Sequence, residues 1–321
     1  MQQNLSSFAR QVTSWLSEPK LPWRVTQWLY QRKTDHLRQA ADRQVALTRP
    51  YVTGGDLPHF EVHVLFGHKH VGMTLWCIKG LLHHSGLKLS IVLHEDGTLT
   101  DYDAALLEKH LLNVRIIRKA AADILMREKL AGLPNCLDYR FSLQETSDHR
   151  GTRYDMHIFA LRLFDFNLIS DASKILVLDC DVLFFRKPTE ILEWADNTAA
   201  EGCLFSIEQY VPHRNDRFDV TGFTRKDPLP NDANAGLLCF DKRIYNLETI
   251  EAWIGRNKKL MNKIATFEQH AYNYLLQENG KSLPLPDSYS FNYTDDSVSA
   301  THFAIKHLFF ENVSRLTPAL M

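Results

Sequence analysis

The sequence predicts an α/β fold with a mostly parallel sheet, helices packed on its two faces, and a helical extension ahead of it. Two observations carry this. Short apolar runs recur along the chain and alternate with helical patterns of about 10–15 residues, the rhythm of βαβ units. One run, Lys174-Ile175-Leu176-Val177-Leu178, is continuously apolar after its lysine, as in a strand buried on both faces. The 321 residues, 45% hydrophobic and 23% charged, suffice for one large domain or two small ones.

Residues 1–50 read as a helical N-terminal extension, with apolar residues at Phe8, Val12, Trp15 and Leu16, then at Trp23, Val25, Trp28 and Leu29. Pro22 is placed to start the second helix. This extension carries eight Lys/Arg against three Asp/Glu, a net of +5, so the remainder of a chain with net charge −1 is acidic. A helical segment packed on the main domain is one reading. The other is a basic, Trp-bearing segment in peripheral contact with an anionic membrane surface. Near-neutral net charge excludes a general nucleic-acid binder.

Pro50 to Pro58, with Gly54-Gly55 between, has the composition of a linker, so 51–58 divides the extension from a domain at 59–321. Within that domain 62–66 is a strand, 70–84 a helix, 89–94 a strand, 100–112 a helix and 114–117 a strand. A helix over 153–169 precedes the strand from Lys174, and strands follow at 203–207 and 235–240, with a helix at 266–278. The segment 208–232 is long and charged, the pattern of a binding loop or lid. Five scattered cysteines with no CxxC pair fit a reducing compartment, hence a cytoplasmic protein or one at the inner face of a membrane.

The strand from Lys174 ends in Asp179-Cys180-Asp181. In a doubly wound sheet, ligands bind at the carboxyl ends of strands. Two carboxylates at the end of a buried strand need a cation or a dense hydrogen-bond network. Hard Asp oxygens suit Mg2+ or Mn2+. A phosphoaspartyl phosphatase also uses an Asp-x-Asp pair. Its motif normally opens the domain, however, and here Leu183 stands where Thr or Val is expected.

Four further features follow in order. Arg162 lies 17 residues before Asp179. Asn234-Ala235-Gly236 opens a buried strand. Glu268-Gln269 lies within Phe267–Asn273. His302-Phe303 is followed by Lys306. Together with Asp179 and Asp181, this series over residues 60–310 resembles the retaining glycosyltransferases of GT-A fold, the family of glycogenin and the bacterial lipopolysaccharide galactosyl- and glucosyltransferases.

The resemblance implies a Rossmann-like, mostly parallel mixed sheet and a metal-dependent hexosyl transfer. The donor it implies is a nucleoside-diphosphate sugar, a UDP-sugar first, and the acceptor a hydroxyl of a glycan, lipid or protein. It implies Asp179, Asp181 and His302 as metal ligands. Arg162, Asn234, Asp179 and Lys306 become donor-binding residues, with Glu268 and Gln269 at the reacting sugar. An imidazole ligand favours Mn2+ over Mg2+.

The chain departs from the family in several places. The turn Gly67-His68-Lys69-His70 lacks the family's uridine-binding Asp and Asn-Tyr. Glu268 replaces an Asp, Lys306 follows His302 after only four residues, and the flanking Gly and Pro-Trp are missing. Plainer readings exist for each residue. Arg162 as a helix-surface cation beside Asp155 or Asp165, Asn234 as a turn residue, Glu268-Gln269 as an exposed helix face and His302 as a packed side chain are the alternatives. A non-catalytic nucleotide-sugar or glycan-binding protein of the same fold is the alternative at the level of function.

Overall fold

The computed structural model describes residues 23–147, 153–207 and 233–321. Its centre is a seven-stranded mixed sheet. Among the labelled elements, helix α1 (Trp23–Val45) comes first, followed by β1 (Phe60–Phe66), α2 (Val71–Ser85), β2 (Ser90–Glu95), α3 (Asp101–His110) and β3 (Arg115–Ile117). Next are α4 (Lys119–Lys129), α5 (Pro134–Phe141), α6 (Ala160–Ile169), β4 (Lys174–Asp179), β5 (Val182–Phe184), α7 (Thr189–Asp196), β6 (Leu204–Ile207) and β7 (Ala233–Asp241). The chain continues through α8 (Leu247–Met261), α9 (Phe267–Asn279), β8 (Leu283–Pro284), β9 (Tyr289–Phe291), β10 (Ala300–His302) and α10 (Lys306–Asn312).

The order across the large sheet is β8-β6-β7-β4-β1-β2-β3, and β9-β10-β5 form a second, three-stranded sheet. Strands β4, β1, β2 and β3 are mutually parallel, whereas β7 runs antiparallel to both β4 and β6. The predicted α/β class and mostly parallel sheet are therefore the observed ones.

Strand β4 shows why its sequence is continuously apolar. Leu176 and Leu178 pack into one core with Leu75, Trp76 and Ile78 of α2, while Ile175 and Val177 pack into the opposite core with Phe164 and Phe166 of α6. Each such side chain contributes about 1.5–3 kcal/mol by leaving water. Lys174 is the exception to the apolar run. Its buried ammonium donates to the carbonyls of Trp194 and Asn197 at 2.6 and 2.7 Å, closing the C-terminal end of α7.

The helix expected over 153–169 begins later. Residues Arg153–Asp155 form a strand paired with Glu145–Ser147, and Met156–Phe159 is a 3-10 turn. Asp155 accounts for the delay, because its carboxylate accepts the backbone N–H groups of His157 and Gln144 and so caps the turn from outside. Within the segment read as a linker, Tyr51–Val52 pairs in parallel with Leu111–Leu112, and that pairing also ends the helix expected to reach residue 112. The expected loop at 208–232 and the first part of the N-terminal extension lie outside the described residues.

Helix α1 packs on the body through Ala41 and Val45, whose own carbonyls accept from buried groups: Trp76 Nε1 donates to the Ala41 carbonyl at 3.1 Å and Thr48 Oγ1 to the Val45 carbonyl at 2.6 Å. Lys33 pairs with Glu311 at 2.6 Å. On the other side of the helix Val25, Trp28 and Leu29 are exposed, with Arg32 lying over the Trp28 ring. Among the described residues no helix is long and apolar enough to cross a membrane.

Candidate active site

All eight residues singled out from the sequence gather at one edge of the large sheet. Strand β4 ends there at Asp179. Because β7 is antiparallel to β4, with Leu237 opposite Leu178, its opening residues Asn234–Gly236 arrive at that same edge. After Asp179 the chain turns through Cys180 and Asp181 and leaves as β5 for the second sheet. Strand β10 pairs antiparallel to β5, with His302 opposite Val182, and so carries His302 to the turn. The backbone N–H of Phe303 donates to the Asp181 carbonyl at 2.9 Å and ties the two segments together.

Asp179, Asp181 and His302 each offer a ligand atom, and these atoms lie within 4.8 Å of one another. His302 Nε2 is 3.2 Å from Asp181 Oδ1 and 3.5 Å from Asp179 Oδ2. Its other nitrogen, Nδ1, is 3.0 Å from Asn234 Oδ1, which also accepts the Gly236 N–H at 2.6 Å. An oxygen that accepts one N–H accepts the second as well, so Nδ1 carries a proton and Nε2 is the nitrogen turned toward the carboxylates. The His302 ring stands edge-on to Phe291, with centroids 5.2 Å apart.

A metal fits this arrangement on two counts. Two carboxylates and an oriented imidazole form a donor set for a hard to borderline divalent ion. The space is kept open by Gly236, where a Cβ would fall 2.4 Å from His302 Cε1 and 2.6 Å from Asp179 Oδ2. Burial opposes ionisation of Asp181, but Lys306 and His302 outweigh it and hold its carboxyl well below the usual range. Burial likewise works against a proton on His302, and Asp181 and Asp179 overcome it and raise its affinity. The carboxylates that attract this proton are the same ones that would attract a cation.

Arg162, in the first turn of α6, is buried. Its Nη1 lies 3.0 Å from Asp179 Oδ1 and 3.3 Å from Glu268 Oε1, and its Nη2 donates to the Ala235 carbonyl. Asp165 is engaged elsewhere, with Arg140 at 2.7 Å, so the helix-surface pairing of Arg162 is excluded. The Arg162 carbonyl accepts from Tyr272 Oη at 2.8 Å, which links α6 to α9.

Glu268 and Gln269 occupy the first turn of α9. Glu268 is only 2% exposed, so this turn is not an outward-facing surface. Burial pushes its carboxyl up to about 7, with Arg162 opposing and Asp179 adding to the rise. Glu268 Oε2 is buried without a hydrogen-bond partner among the described residues, as is Arg162 Nε. Gln269 Oε1 accepts the Ala235 N–H at 3.1 Å, bracing the opening of β7.

A pocket of about 160 Å3 lies among these groups, lined by Arg162, Asp179, Asn234, Glu268, Gln269 and His302. Four more residues complete it: Phe159, Thr266, Phe291 and Ala304. Sequence reasoning did not find these four, and of them Phe159, Thr266 and Ala304 carry a signal, since each stands two or three residues ahead of a motif residue. Lys306 is not among the residues that line this pocket. Its ammonium donates to Asp181 Oδ2.

No protein-family model matches the sequence, and no curated protein matches it at the level of sequence. Solved structures do match. The galactosyltransferase LgtC in complex with donor and acceptor sugar analogs aligns at a TM-score of 0.55 and 15% identity, over 81% of this chain and 96% of that one. Mouse xyloside xylosyltransferase 1, in its apo form, aligns at a TM-score of 0.50 and 13% identity, over 80% of this chain and 99% of that one. At such identities the likeness is one of fold. The chain has the GT-A fold of glycosyltransferases, in a divergent form.

Proposed function

We propose that this protein is a metal-dependent glycosyltransferase that moves a hexose from a nucleoside-diphosphate sugar, a UDP-sugar first, to a hydroxyl of a glycan, lipid or protein, with retention. The observation that supports it most is the meeting of Asp179, Asp181 and His302 with Arg162, Asn234, Glu268 and Gln269 around one pocket. Its volume of about 160 Å3 is below the ~300–1,000 Å3 of pockets that enclose a whole drug-sized ligand, and suits one ring.

Asp179, Asp181 and His302 would hold Mn2+ or Mg2+. When bound, the ion supplies Lewis-acid stabilisation of the charge that develops on a departing diphosphate. Asn234 keeps Nε2 of His302 turned toward the carboxylates. Arg162 fixes Asp179 and Glu268 in one geometry, since its Nη1 lies within 3.3 Å of both carboxylates while its Nη2 is held by the Ala235 carbonyl. Glu268 Oε2, buried and without a partner among the described residues, supports a hydrogen bond to a sugar hydroxyl. Gln269 lines the pocket beside it.

A double displacement needs a nucleophilic carboxylate on the far face of the sugar. Gln269 is an amide, and Glu268 is assigned to a donor hydroxyl through Oε2 while Arg162 holds its Oε1. We therefore favour front-face attack, in which the leaving phosphate oxygen accepts the acceptor's proton. Isolation of a glycosyl-enzyme on Glu268 would refute this route.

The exposed Val25, Trp28 and Leu29, in a segment of net charge +5, support peripheral contact with an anionic membrane, at its cytoplasmic face. The test of the main reading is hydrolysis and transfer assayed with a panel of nucleotide-sugars and Mn2+. Turnover is expected in the wild-type chain and at least a hundredfold less in Asp181→Asn, with the fold kept. No turnover with any donor from a folded chain would favour a non-catalytic binding protein.

A further inference from the structure

Asp181 is 5% exposed, and both of its carboxylate oxygens are engaged. Oδ1 faces His302 Nε2, and Oδ2 accepts from the Lys306 ammonium. Arg162 stands beside Asp179 in a similar way, but the two cations are held differently. Arg162 is also bound to Glu268 and to the Ala235 carbonyl, so its guanidinium is fixed on several sides. Lys306 donates to Asp181 alone among the described residues, and a third of its side chain (33%) is open to solvent.

This pairing conflicts with a simple division of labour in which Lys306 attends to phosphate and Asp181 to metal. A buried carboxylate without a partner is costly, so some cation has to accompany Asp181 at every stage. A divalent ion and an ammonium crowded onto one carboxylate repel each other. Lysine is suited to yielding, because its compact charge rides on a flexible stem and makes no bidentate fork.

Resting on the metal-site reading above, we infer that Lys306 is a displaceable counter-ion: it neutralises Asp181 while no metal is bound, then cedes that carboxylate to the metal and turns to the donor diphosphate. Lys306 is thus a positioning residue that sets how tightly the metal is held before the donor arrives. Metal and donor become coupled, since a diphosphate offers the displaced ammonium a new partner. Binding of nucleoside diphosphate then tightens metal binding, and the reverse holds to the same factor.

The experiment measures Mn2+ uptake by the full chain without nucleotide, from the loss of the free-Mn2+ EPR signal, in wild-type, Lys306→Met and Lys306→Arg proteins. Lys306→Met is expected to bind Mn2+ at least tenfold more tightly than wild type, and Lys306→Arg, which keeps the competing charge, no more tightly than wild type. At saturating Mn2+, Lys306→Met should bind UDP and GDP at least tenfold more weakly. Should Lys306→Met fail to fold, Lys306→Gln carries the same expectations. Equal or weaker Mn2+ binding by the neutral variants, with wild type binding well, overturns the inference and leaves the metal site standing. Unchanged nucleoside-diphosphate affinity also overturns it. If no form takes up Mn2+, the metal-site reading falls and the inference with it.

Discussion

Replacing Gly236 by alanine adds one methyl group at the point where β7, Asp179 and His302 meet. The added Cβ would stand 2.4 Å from His302 Cε1, 2.6 Å from Asp179 Oδ2 and 2.7 Å from Asn234 Oδ1, whereas ordinary contact begins at 3.4 Å. Relief therefore requires displacements of 0.7–1.0 Å, shared among the two proposed metal ligands and the group that orients His302. None of the three yields freely. His302 is hydrogen-bonded to Asn234 and set against Phe291, and Asp179 is paired with Arg162. Overpacking of this kind costs about 1–3 kcal/mol of stability. The functional cost is of similar size, because a misplacement of ~1 Å at a reacting centre lowers the rate by about a hundredfold, some 2.7 kcal/mol. Donor turnover, Mn2+ affinity and thermal denaturation measured on one preparation separate the two effects. Gly55→Ala is the control, since no heavy atom lies within 4 Å of a Cβ there. A Gly236→Ala protein with wild-type turnover and Mn2+ affinity would show that this edge of the sheet is not the metal site.

Two further outcomes are expected. Asn234→Ala removes the acceptor that fixes the His302 tautomer, so Mn2+ affinity should fall about 10–100-fold while the melting temperature changes little; titration with Mn2+ followed by EPR reads this, and an unchanged affinity contradicts the orienting role. Stability should decline as pH drops below about 6.5, the unperturbed histidine value, because burial depresses the proton affinity of both His63 and His94, which contact each other at 2.9 Å. The unfolded chain takes up these protons first, so acid favours unfolding. Urea midpoints at pH 8 and pH 5 measure the loss, and it should shrink in His94→Gln; an equal loss in that variant removes the assignment.

Much of this site is legible in the chain, and the reason is locality. The Asp179-Cys180-Asp181 pair sits at the end of an apolar run, so its residues are neighbours in sequence and in space. Burial of that run on both faces follows from its composition alone. Glu268 lies in the first turn of the helix expected at 266–278, whereas the helix expected over 153–169 starts only at Ala160, after a strand and a 3-10 segment, which puts Arg162 in its first turn. Helices α4, α5 and α8 are missing from the sequence reading even though α4 and α8 are amphipathic, Asn246 caps α8 and Pro134 opens α5.

What the chain could not disclose by itself is pairing across long separations. His302 meets Asp179 and Asp181 because β10 aligns with β5, and Asn234 meets them because β7 runs antiparallel to β4. Register and strand direction are set by packing of both cores together, so no short window of sequence encodes them. The same holds for Lys306. Its charge and its place after His302 suggested a phosphate partner, and only the folded arrangement, with a buried Asp181 requiring a cation, decides that its ammonium rests on that carboxylate. Sequence singled out the ionisable and polar residues of the candidate site, and tertiary structure determined which of them neutralise one another.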